Sequence, residues 1–517
     1  MLMRLYHCLI VIWRWDLSSI KQRMAIIANT DMDMAMGKTQ WTSVVLVVGM
    51  GCSPMMSAAD VRVTPQVGGS LVYSDNLKQA DSDRQGSLIT TLNAGVGIEA
   101  NGVDGNALSL EYTLDQLFYS HDGNDNSLYQ TLRFDANKAL GEGFRLDASA
   151  SIDNIAAAID ENANADIFTG DTVENKQAEL GVSYRSNPLS DSNVTGRVFV
   201  TASNYEDDIG NYDGGGAALR FSNGPNVRDM FWVIEGTYDY KRSKGDDPNT
   251  SFVVLREEIG FQTVYRWVPF MRLNYENYSG TSESDSADQL SWGPALRYFF
   301  TKTSYLEVSY NFSETDDISD FWAGAVYLNP SPRTSLRASY DKRAFGDAYD
   351  FLFSHRSRRL TNEISYTEAV TNYDRETFVR DGNIAQANVE RRLTWESILA
   401  ARRTTYVFSL YGFELDALNS PSREGDEQGY GASFSIDHQL SRRLKGTAVI
   451  DYRDYTFKNI ETADQDDQYW TFSIDGSYTV NAMVTLTAGA EHNNKSSSLA
   501  NNGYDENRLY LELNVDL

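Results

Sequence analysis

The chain ends in the stretch Arg508-Leu509-Tyr510-Leu511-Glu512-Leu513-Asn514-Val515-Asp516-Leu517. From Leu509 onward every second residue is leucine or valine, and the residues between them are tyrosine, glutamate, asparagine and aspartate. A repeat of two places alternate side chains on opposite faces of a β-strand. One face of this terminal strand therefore meets an apolar medium, and the opposite face meets water.

The same alternation recurs from Val61 to the end of the chain. Residues 108–115, 144–153, 306–312 and 484–491 all alternate between apolar and polar side chains. Outside the N-terminal segment, no apolar run approaches the roughly 18 residues that a membrane-spanning helix needs. Strands with one apolar and one polar face, repeated along a whole chain, are typical of barrels that face lipid outside and water inside.

The connections between these segments alternate in length. Residues 138–143, 329–333 and 480–482 form short connections, whereas residues 153–175, 369–385 and 416–428 form long ones. We count about 24 alternating segments, with about 22 as the alternative count. The sequence therefore predicts an all-β fold, a transmembrane antiparallel up-and-down β-barrel with short periplasmic turns and long extracellular loops. Such a protein belongs in the outer membrane of a Gram-negative cell.

The N-terminal segment has the features of a secretory signal. Lys38 precedes an apolar region at residues 41–50, and Ser57 and Ala59 supply the small residues of a cleavage site. We predict cleavage after Ala59, so that residues 1–59 combine a doubtful extension with the signal peptide and residues 60–517 form the barrel. Cys52 raises the alternative of a lipoprotein, but Gly49 occupies a position where an aliphatic residue is expected.

Cysteine usage and charge exclude several functions. The only two cysteines, Cys8 and Cys52, lie in the N-terminal segment, which excludes a thiol catalyst or a cysteine-based zinc site in the barrel. The net charge of −27 argues against nucleic acid as a partner, because a strongly negative chain repels a polyanion. Acidic clusters such as residues 206–208 and 464–467 are interpreted as solvated loops, with cation-mediated contact to lipopolysaccharide as the alternative. No metal-ligand spacing or cofactor motif is present.

A weak repeat joins several of the short connections. Residues 302–304, 331–336 and 402–405 each combine a basic turn with a threonine entering a strand, and a tyrosine follows six to seven residues later. A tyrosine ring with one polar atom is most stable at a membrane interface. We therefore expect an interfacial girdle that includes Tyr310, Tyr340, Tyr411, Tyr452 and Tyr478.

Alternation also assigns charged side chains to the inner wall. A lumen closed by about 24 strands is too wide for side chains to fill, and few residues separate Ala59 from the first strand, so we expect no plug domain. The lumen is either open or narrowed by loops such as 153–175 and 369–385. The candidates for polymer or ion contact are Arg133, Arg145, Arg220, Arg256, Arg272, Arg297, Arg337, Arg453, Arg508, Asp135, Asp147, Glu258, Asp451 and Glu512. The alternative is that these charges pair across strands only to stiffen the wall.

Segment 347–368 and the Arg-Thr turns at Arg333 and Arg403 carry a family resemblance. They resemble the outer-membrane proteins associated with PEP-CTERM/exosortase systems, a β-barrel porin family linked to exopolysaccharide loci, and residues 63–77 resemble the opening strand of that group. The resemblance covers residues 61–517. It implies a role in exporting or anchoring an extracellular polysaccharide. One departure is Leu517, because barrel-insertion signals usually end in an aromatic residue.

Catalysis has little support in the sequence. The pair His355 and Ser357 resembles the His-x-Ser pairing of outer-membrane lipid A deacylases, but the expected register places it at a periplasmic turn, and no third orienting group is apparent. We therefore predict a protein that is not an enzyme.

The predicted function is export or surface anchoring of an exopolysaccharide, with a general or solute-specific porin as the first alternative and a lipid-modifying enzyme as the second. Expected partners are outer-membrane lipid, lipopolysaccharide, the barrel assembly machinery, a polysaccharide and periplasmic export components. The insertion signal is expected in Leu509, Leu511, Leu513, Val515 and Leu517.

Overall fold

The computed structural model describes residues 60–121, 126–157, 166–169, 172–244, 249–262, 266–280, 287–316, 318–371, 387–418, 426–458 and 464–517, apart from the side chains of residues 104 and 417. The predicted signal peptide and its cleavage site lie outside these ranges. Within them, no helix combines the length and apolar character that crossing a membrane requires.

The described chain is built from 24 β-strands and a single turn of 3₁₀ helix, Val103–Gly105. The strands are β1 Asp60–Ser74, β2 Ser87–Asn101, β3 Ala107–Tyr119, β4 Ser127–Gly141, β5 Phe144–Ala156, β6 Thr172–Arg185, β7 Ser192–Tyr205, β8 Tyr212–Asn223, β9 Met230–Ser243, β10 Thr250–Phe261, β11 Trp267–Ser279, β12 Ala287–Phe299, β13 Tyr305–Ser313, β14 Phe321–Ser331, β15 Thr334–Arg343, β16 Gly346–Arg356, β17 Leu360–Thr371, β18 Asn388–Ala400, β19 Thr404–Ala417, β20 Glu427–Gln439, β21 Leu444–Phe457, β22 Gln465–Thr479, β23 Val484–Ser497 and β24 Tyr504–Asp516.

The strands form one closed sheet. Each strand pairs antiparallel with the next in sequence, and β24 pairs antiparallel with β1, where Leu511 lies opposite Leu71 and Leu509 lies opposite Tyr73. Closure leaves no free sheet edge, so every strand satisfies its backbone hydrogen bonds within the wall. The predicted up-and-down barrel and the count of 24 strands are confirmed, and the alternative of 22 is excluded.

The terminal strand shows how the sequence selects its faces. Leu509 is 60% exposed and Leu511 and Leu513 are each 44% exposed, whereas Glu506 on the opposite face is fully buried. Exposed apolar side chains continue on the neighbouring strands, for example at Leu71. An apolar surface that surrounds a whole sheet is far larger than a soluble protein tolerates. This outer wall is therefore suited to lipid, as the alternation predicts.

The two rims differ in the length of their connections. The rim that contains the first residue of β1 and the last residue of β24 has short turns, such as 142–143, 332–333 and 357–359. We call it the short-turn rim. The opposite rim, called the loop rim, has longer connections such as 157–171 and 372–387, with one exception at residues 344–345. The predicted alternation of short and long connections is thus present, apart from this one tight turn.

One member of the predicted aromatic girdle faces the other way. Tyr411 lies opposite Gly431, on the face that also carries Arg453 in the next strand, so its ring points into the barrel. The prediction for Tyr411 was wrong. Thr404 points outward and Tyr411 lies seven residues after it, so the odd number of steps places Tyr411 on the opposite, inner face. Tyr340 lies an even step after Thr334 and remains on the outer face, where its hydroxyl donates to Asp347 Oδ1 at 3.0 Å.

Candidate functional site

The inner wall of the barrel is the candidate site. Residues directly opposite each other in neighbouring strands share a face, so the strand register locates each side chain that the sequence assigned to the lumen. The register places all of the predicted residues on the inner face: Arg133, Arg145, Arg220, Arg256, Arg272, Arg297, Arg337, Arg453, Arg508, Asp135, Asp147, Glu258, Asp451 and Glu512. Their proposed contact with a polymer or an ion remains a prediction.

Four inner-wall side chains form a closed ionic network across β10 to β13. Arg272 Nη2 lies 2.9 Å from Glu258 Oε1 and also contacts Glu307. Arg297 Nη2 lies 3.1 Å from Glu258 Oε2 and 2.7 Å from Glu307 Oε2. The side chain of Arg272 is 9% exposed and that of Glu307 is 4% exposed. Because each charge has two partners of opposite sign, the burial of these groups is compensated.

Aromatic rings cover the same network. The guanidinium of Arg297 lies 5.0 Å from the ring centroids of both Phe270 and Tyr305, and that of Arg272 lies 5.5 Å from the centroid of Phe270. A cation over an aromatic face is attracted to the electron density of the ring. The network is therefore packed as well as paired, which suits a structural role in the wall.

Most other predicted arginines also have carboxylate partners. Arg453 Nε lies 2.6 Å from Asp451 Oδ1, and Arg337 Nε lies 3.5 Å from Asp350 Oδ1. The remaining pairs are Arg220 with Glu235, Arg256 with Asp341, and Arg508 with Glu491, Glu506 and Asp166. The inner wall consequently carries much less free positive charge than its arginine count indicates.

Two predicted arginines have no ion pair among the described residues. Arg145 Nη1 donates to Asn137 Oδ1 at 3.1 Å and to the carbonyl oxygen of Gly105 at 3.4 Å. Arg133 lies opposite Glu111 in the register without forming an ion pair to it. These two guanidiniums on neighbouring strands are therefore available to a passing anion.

Sequence reasoning missed several inner-wall arginines, among them Arg197, Arg343 and Arg392. Arg197 on β7 contacts both Asp147 and Glu179. Its neighbours Val198 and Val200 are 60% and 52% exposed on the outer wall. The alternation of these valines with Arg197 is the signal that assigns it to the lumen.

A segment of the β5–β6 connection lies against the inner wall. Tyr119 Oη donates to the carbonyl oxygen of Phe168 at 2.9 Å, and Arg508 pairs with Asp166. Ile167 and Phe168 pack on a buried apolar cluster. Its members are Val72, Ile89, Leu117 and Tyr119 on the inner faces of β1 to β3, and Leu77 in the β1–β2 connection. The described part of this loop therefore narrows the lumen, as one of the two sequence interpretations expects. Residues 372–386, from the second loop considered there, lie outside the described ranges.

The β15–β16 hairpin narrows the lumen from a different side. Arg343 Nε lies 2.7 Å from Glu276 Oε1, and Arg343 Nη2 donates to Tyr278 Oη at 2.7 Å. The backbone N–H of Ala344 donates to Glu276 Oε2 at 3.2 Å. Glu276 and Tyr278 lie on the inner face of β11, which is four strands away from β15. The tight turn at residues 344–345 is therefore anchored inside the barrel, which explains its departure from the long loops of that rim.

Aromatic rings form a second kind of inner wall on β19 and β21. We call Tyr411, Phe413, Tyr455 and Phe457 the aromatic strip. Tyr411 and Phe413 have ring centroids 6.4 Å apart at an interplanar angle of 14°, and Tyr455 and Phe457 are 6.1 Å apart at 16°. Each strand thus presents two nearly parallel rings in sequence.

Glycines on β20 make room for this strip. A Cβ atom at Gly431 would lie 2.6 Å from the ring of Tyr411, and one at Gly429 would lie 2.7 Å from the ring of Phe413. The rings of β19 therefore lie across the strand between them and β21, where Tyr411 Oη and Tyr455 Oη are 3.4 Å apart. Aromatic rings that cover glycines of a neighbouring strand also stabilise a sheet.

His355 and Ser357 lie at the short-turn rim. His355 Nδ1 is 2.8 Å from Thr334 Oγ1, and Ser357 Oγ accepts the backbone N–H of Leu360 at 3.1 Å. Neither contact joins the two residues. Within the described ranges, no group of three or more histidine, cysteine, aspartate or glutamate side chains is placed to hold a metal ion.

The predicted insertion residues all lie on the outer face of β24 or just beyond its end. Their pairing with β1 and β23 keeps Leu509, Leu511, Leu513 and Val515 on one side of the sheet. This position makes them accessible from the membrane, while recognition by an assembly machinery remains a prediction.

Residues 428–517, which span nearly all of β20 to β24, match the family described as "Putative beta-barrel porin 2". No curated protein sequence matches the chain. Similar solved structures include the siderophore receptor PirA from Pseudomonas aeruginosa, at 8% identity and a TM-score of 0.44 over 88% of this chain and 80% of that chain. Another is the ferric enterobactin receptor of the same organism, at 9% identity and a TM-score of 0.45 over 89% and 81%. A third is the FrpB iron transporter from Neisseria meningitidis, at 10% identity and a TM-score of 0.45 over 88% and 81%.

TM-scores below 0.5 establish no relationship beyond a general similarity of shape. The family match over the last five strands and the closed sheet of 24 antiparallel strands agree with each other. The chain is a porin-like outer-membrane β-barrel protein.

Proposed function

We propose that this barrel conducts a polysaccharide across the outer membrane and thereby takes part in exopolysaccharide export or anchoring. Barrels of about 16 to 18 strands already leave an aqueous channel, and this wall has 24 strands. A polymer of sugars needs such a wide, hydrated passage. The resemblance to the barrels of PEP-CTERM/exosortase systems supports the same assignment.

The observation that carries the proposal is the aromatic strip. Flat apolar ring faces combined with a few polar groups are typical of ligand sites in proteins. The face of a sugar ring carries C–H groups that pack on an aromatic ring, while its hydroxyl groups need hydrogen-bond partners. Arg453 lies on the same inner face as the strip, directly opposite Gly431. The strip and its polar neighbours therefore suit a chain of sugar rings.

The pairing of the inner-wall charges supports a neutral rather than a strongly charged cargo. Arg272, Arg297 and Arg453 are all engaged with carboxylates of the same wall. A paired guanidinium has less attraction left for a passing anion. A hydroxyl-rich polymer can slide along such a wall without being held by it.

The proposal is tested by single-channel conductance in planar bilayers. We expect added polysaccharide to block the wild-type channel more strongly than small sugars do. Replacing Tyr411 and Tyr455 with leucine is expected to weaken this block, because the rings are lost while the bore is kept. The matched control replaces Tyr406 and Phe434, a stacked pair on the outer wall with centroids 6.4 Å apart. Equal block of all variants, or no block of wild type, would contradict the proposal.

A second candidate function is a solute-specific porin, and Arg133 and Arg145 favour it. Neither has a carboxylate ion pair among the described residues, so both are available to small anions. This function predicts anion selectivity, measured as a reversal potential in a salt gradient, that decreases when both arginines become glutamine. Conductance without any polymer block, together with this selectivity, would favour the porin over the export channel.

The proposal includes no catalytic step. The lipid-modifying alternative rests on His355 and Ser357, whose described contacts go to Thr334 and Leu360 instead. A His355→Ala variant is therefore expected to leave the lipid profile of the outer membrane unchanged. The proposed partners are lipopolysaccharide, the barrel assembly machinery and periplasmic export components, and nucleic acid is not among them.

A further inference from the structure

Five consecutive turns on the short-turn rim carry basic residues and no acidic ones. The turns are residues 300–304, 332–333, 357–359, 401–403 and 440–443. Together with the end of β16 they hold nine cations, which we call the basic arc: Lys302, Arg333, Arg356, Arg358, Arg359, Arg402, Arg403, Arg442 and Arg443. None of the five turns contains aspartate or glutamate.

The basic arc contrasts with the rest of the chain and with the rest of its own rim. The net charge of the chain is −27. Other turns on the short-turn rim carry carboxylates, at Glu142, Asp191 and Asp229. Positive charge is therefore concentrated on one side of this rim. Such a concentration produces a local field that attracts anions, although the chain as a whole repels them.

The side chains of the basic arc are available for binding. All nine residues are exposed. Among the described residues, none of the nine forms an ion pair, whereas Lys445 beside them is already held by Asp437 at 2.8 Å. Closely spaced like charges repel each other and do not stabilise the fold. The arc therefore needs anions that the described chain does not supply.

The position of the arc identifies the kind of anion. Leu399, beside the arc, is 40% exposed at the end of the apolar outer wall and lies opposite Tyr406, two residues further from the rim than Thr404. The pair Thr334 and His355 lies on the same outer face, and Thr404 Oγ1 lies 2.8 Å from His438 Nδ1 in the corresponding position. Apolar side chains, then small polar pairs, then arginines follow the order of a lipid leaflet from acyl chains to headgroups.

We propose that the basic arc binds the phosphates of anionic phospholipids in the leaflet next to the short turns. Guanidinium groups bind phosphate oxygens with paired, charge-assisted hydrogen bonds. Cations within a Debye length of an anionic surface add to its attraction. The arc thus holds one side of the barrel against anionic lipid, independently of what passes through the lumen.

The test compares two triple variants of the full chain in lipid vesicles. R358Q/R402Q/R442Q removes one cation from each of three turns in the arc. R62Q/R185Q/R228Q removes three exposed arginines near the same rim but outside the arc, where the described residues also form no ion pair with them. Both variants change the net charge equally, so they differ only in position. Spin-labelled phosphatidylglycerol and phosphatidylcholine report which lipid each barrel retains at its surface.

We expect wild type and the R62Q/R185Q/R228Q control to retain phosphatidylglycerol in preference to phosphatidylcholine. The arc variant should lose about fivefold or more of this preference, since one cation near an anionic surface contributes roughly that factor. Equal preference in the two triple variants would overturn the proposal, as would an absence of preference in wild type.

A measurement on wild type alone keeps the test valid if the arc variant does not fold. In about 1 M NaCl, where the Debye length is about 3 Å, the preference for phosphatidylglycerol should largely disappear. A preference that persists in this salt would contradict binding by an exposed basic surface.

Discussion

The inner wall is built in two different ways in two separate regions of the sheet. Across β10 to β13 it is filled by buried ions, with Arg272 and Arg297 each held between Glu258 and Glu307. Across β19 to β21 it is filled by aromatic rings that lie over Gly429 and Gly431. Both regions follow the same alternation of apolar and polar positions, so alternation fixes the face of a side chain but not its role.

The two regions differ in how much side-chain surface they leave free to bind a molecule in the lumen. In the ionic region every charged group has its partners within the wall, and little binding capacity remains. In the aromatic strip the rings cover one another's surface only in part, because Tyr411, Phe413 and Tyr455 all remain partly exposed to the lumen. We therefore assign the first region to stability and the second to contact with cargo, and substitutions can separate the two.

The largest effect is expected from Glu307→Gln. This change removes the shared partner of Arg272 and Arg297 and leaves two buried guanidiniums with one carboxylate between them. Loss of one partner in a buried ionic network costs about 3–5 kcal/mol. Denaturant unfolding of the barrel in detergent measures the change in the free energy of unfolding.

The control for this prediction is Glu235→Gln. Glu235 pairs with Arg220 on the same inner face, but its side chain is 39% exposed. An exposed pair contributes about 0–1 kcal/mol. If the two variants are equally stable, the ionic network is not what supports this part of the wall.

A smaller effect is expected from Gly431→Ala in the aromatic region. The added methyl group would lie 2.6 Å from the ring of Tyr411, so the ring must leave its place over the strand. Overpacking of this kind costs about 1–3 kcal/mol. The block of the channel by polysaccharide should weaken at the same time. Gly412→Ala on the outer face is the control, because its nearest atoms are 3.9 Å away and it should be close to neutral.

These two regions also show how far the sequence predicts the structure. Alternation along single strands predicts the barrel, its strand count and the inward position of Glu258 and Arg272. It does not predict that Glu307, three strands from Glu258, completes the network, because the register of all the strands between them decides which inward side chains come level with each other. Tyr411 was assigned to the wrong face by a single-residue step, which is the characteristic error of a period of two.

The contacts that narrow the lumen were beyond sequence reasoning for a related reason. Arg343 reaches Glu276 and Tyr278 across four strands, and Asp166 reaches Arg508 from a loop that is distant in sequence. Nothing in the local pattern of either segment indicates its partner. Only the closed wall brings these residues together.

The smallest effect on stability is expected from Asp166→Asn. The change removes the ionic contact that helps to hold residues 166–169 to the inner wall, beside the Tyr119 hydrogen bond and the packing of Phe168, while Arg508 keeps Glu506 at 2.7 Å. We expect a loss of about 1 kcal/mol but an increase in single-channel conductance, because the segment moves away from the wall. Asp505→Asn, which removes an exposed partner of Arg84 at the loop rim, should leave the conductance unchanged. A narrower channel in Asp166→Asn would contradict the inward position of the segment.

The central claim is that lipid surrounds this wall and water fills it, and cysteine labelling of β24 tests that claim most directly. The barrel contains no cysteine beyond Cys52, so single cysteines can be placed at Leu511, Glu512, Leu513 and Asn514. In vesicles, a water-soluble maleimide should label positions 512 and 514 through the lumen, and a lipid-soluble quencher should reach probes at 511 and 513. Uniform labelling of all four positions by the water-soluble reagent would contradict the claim.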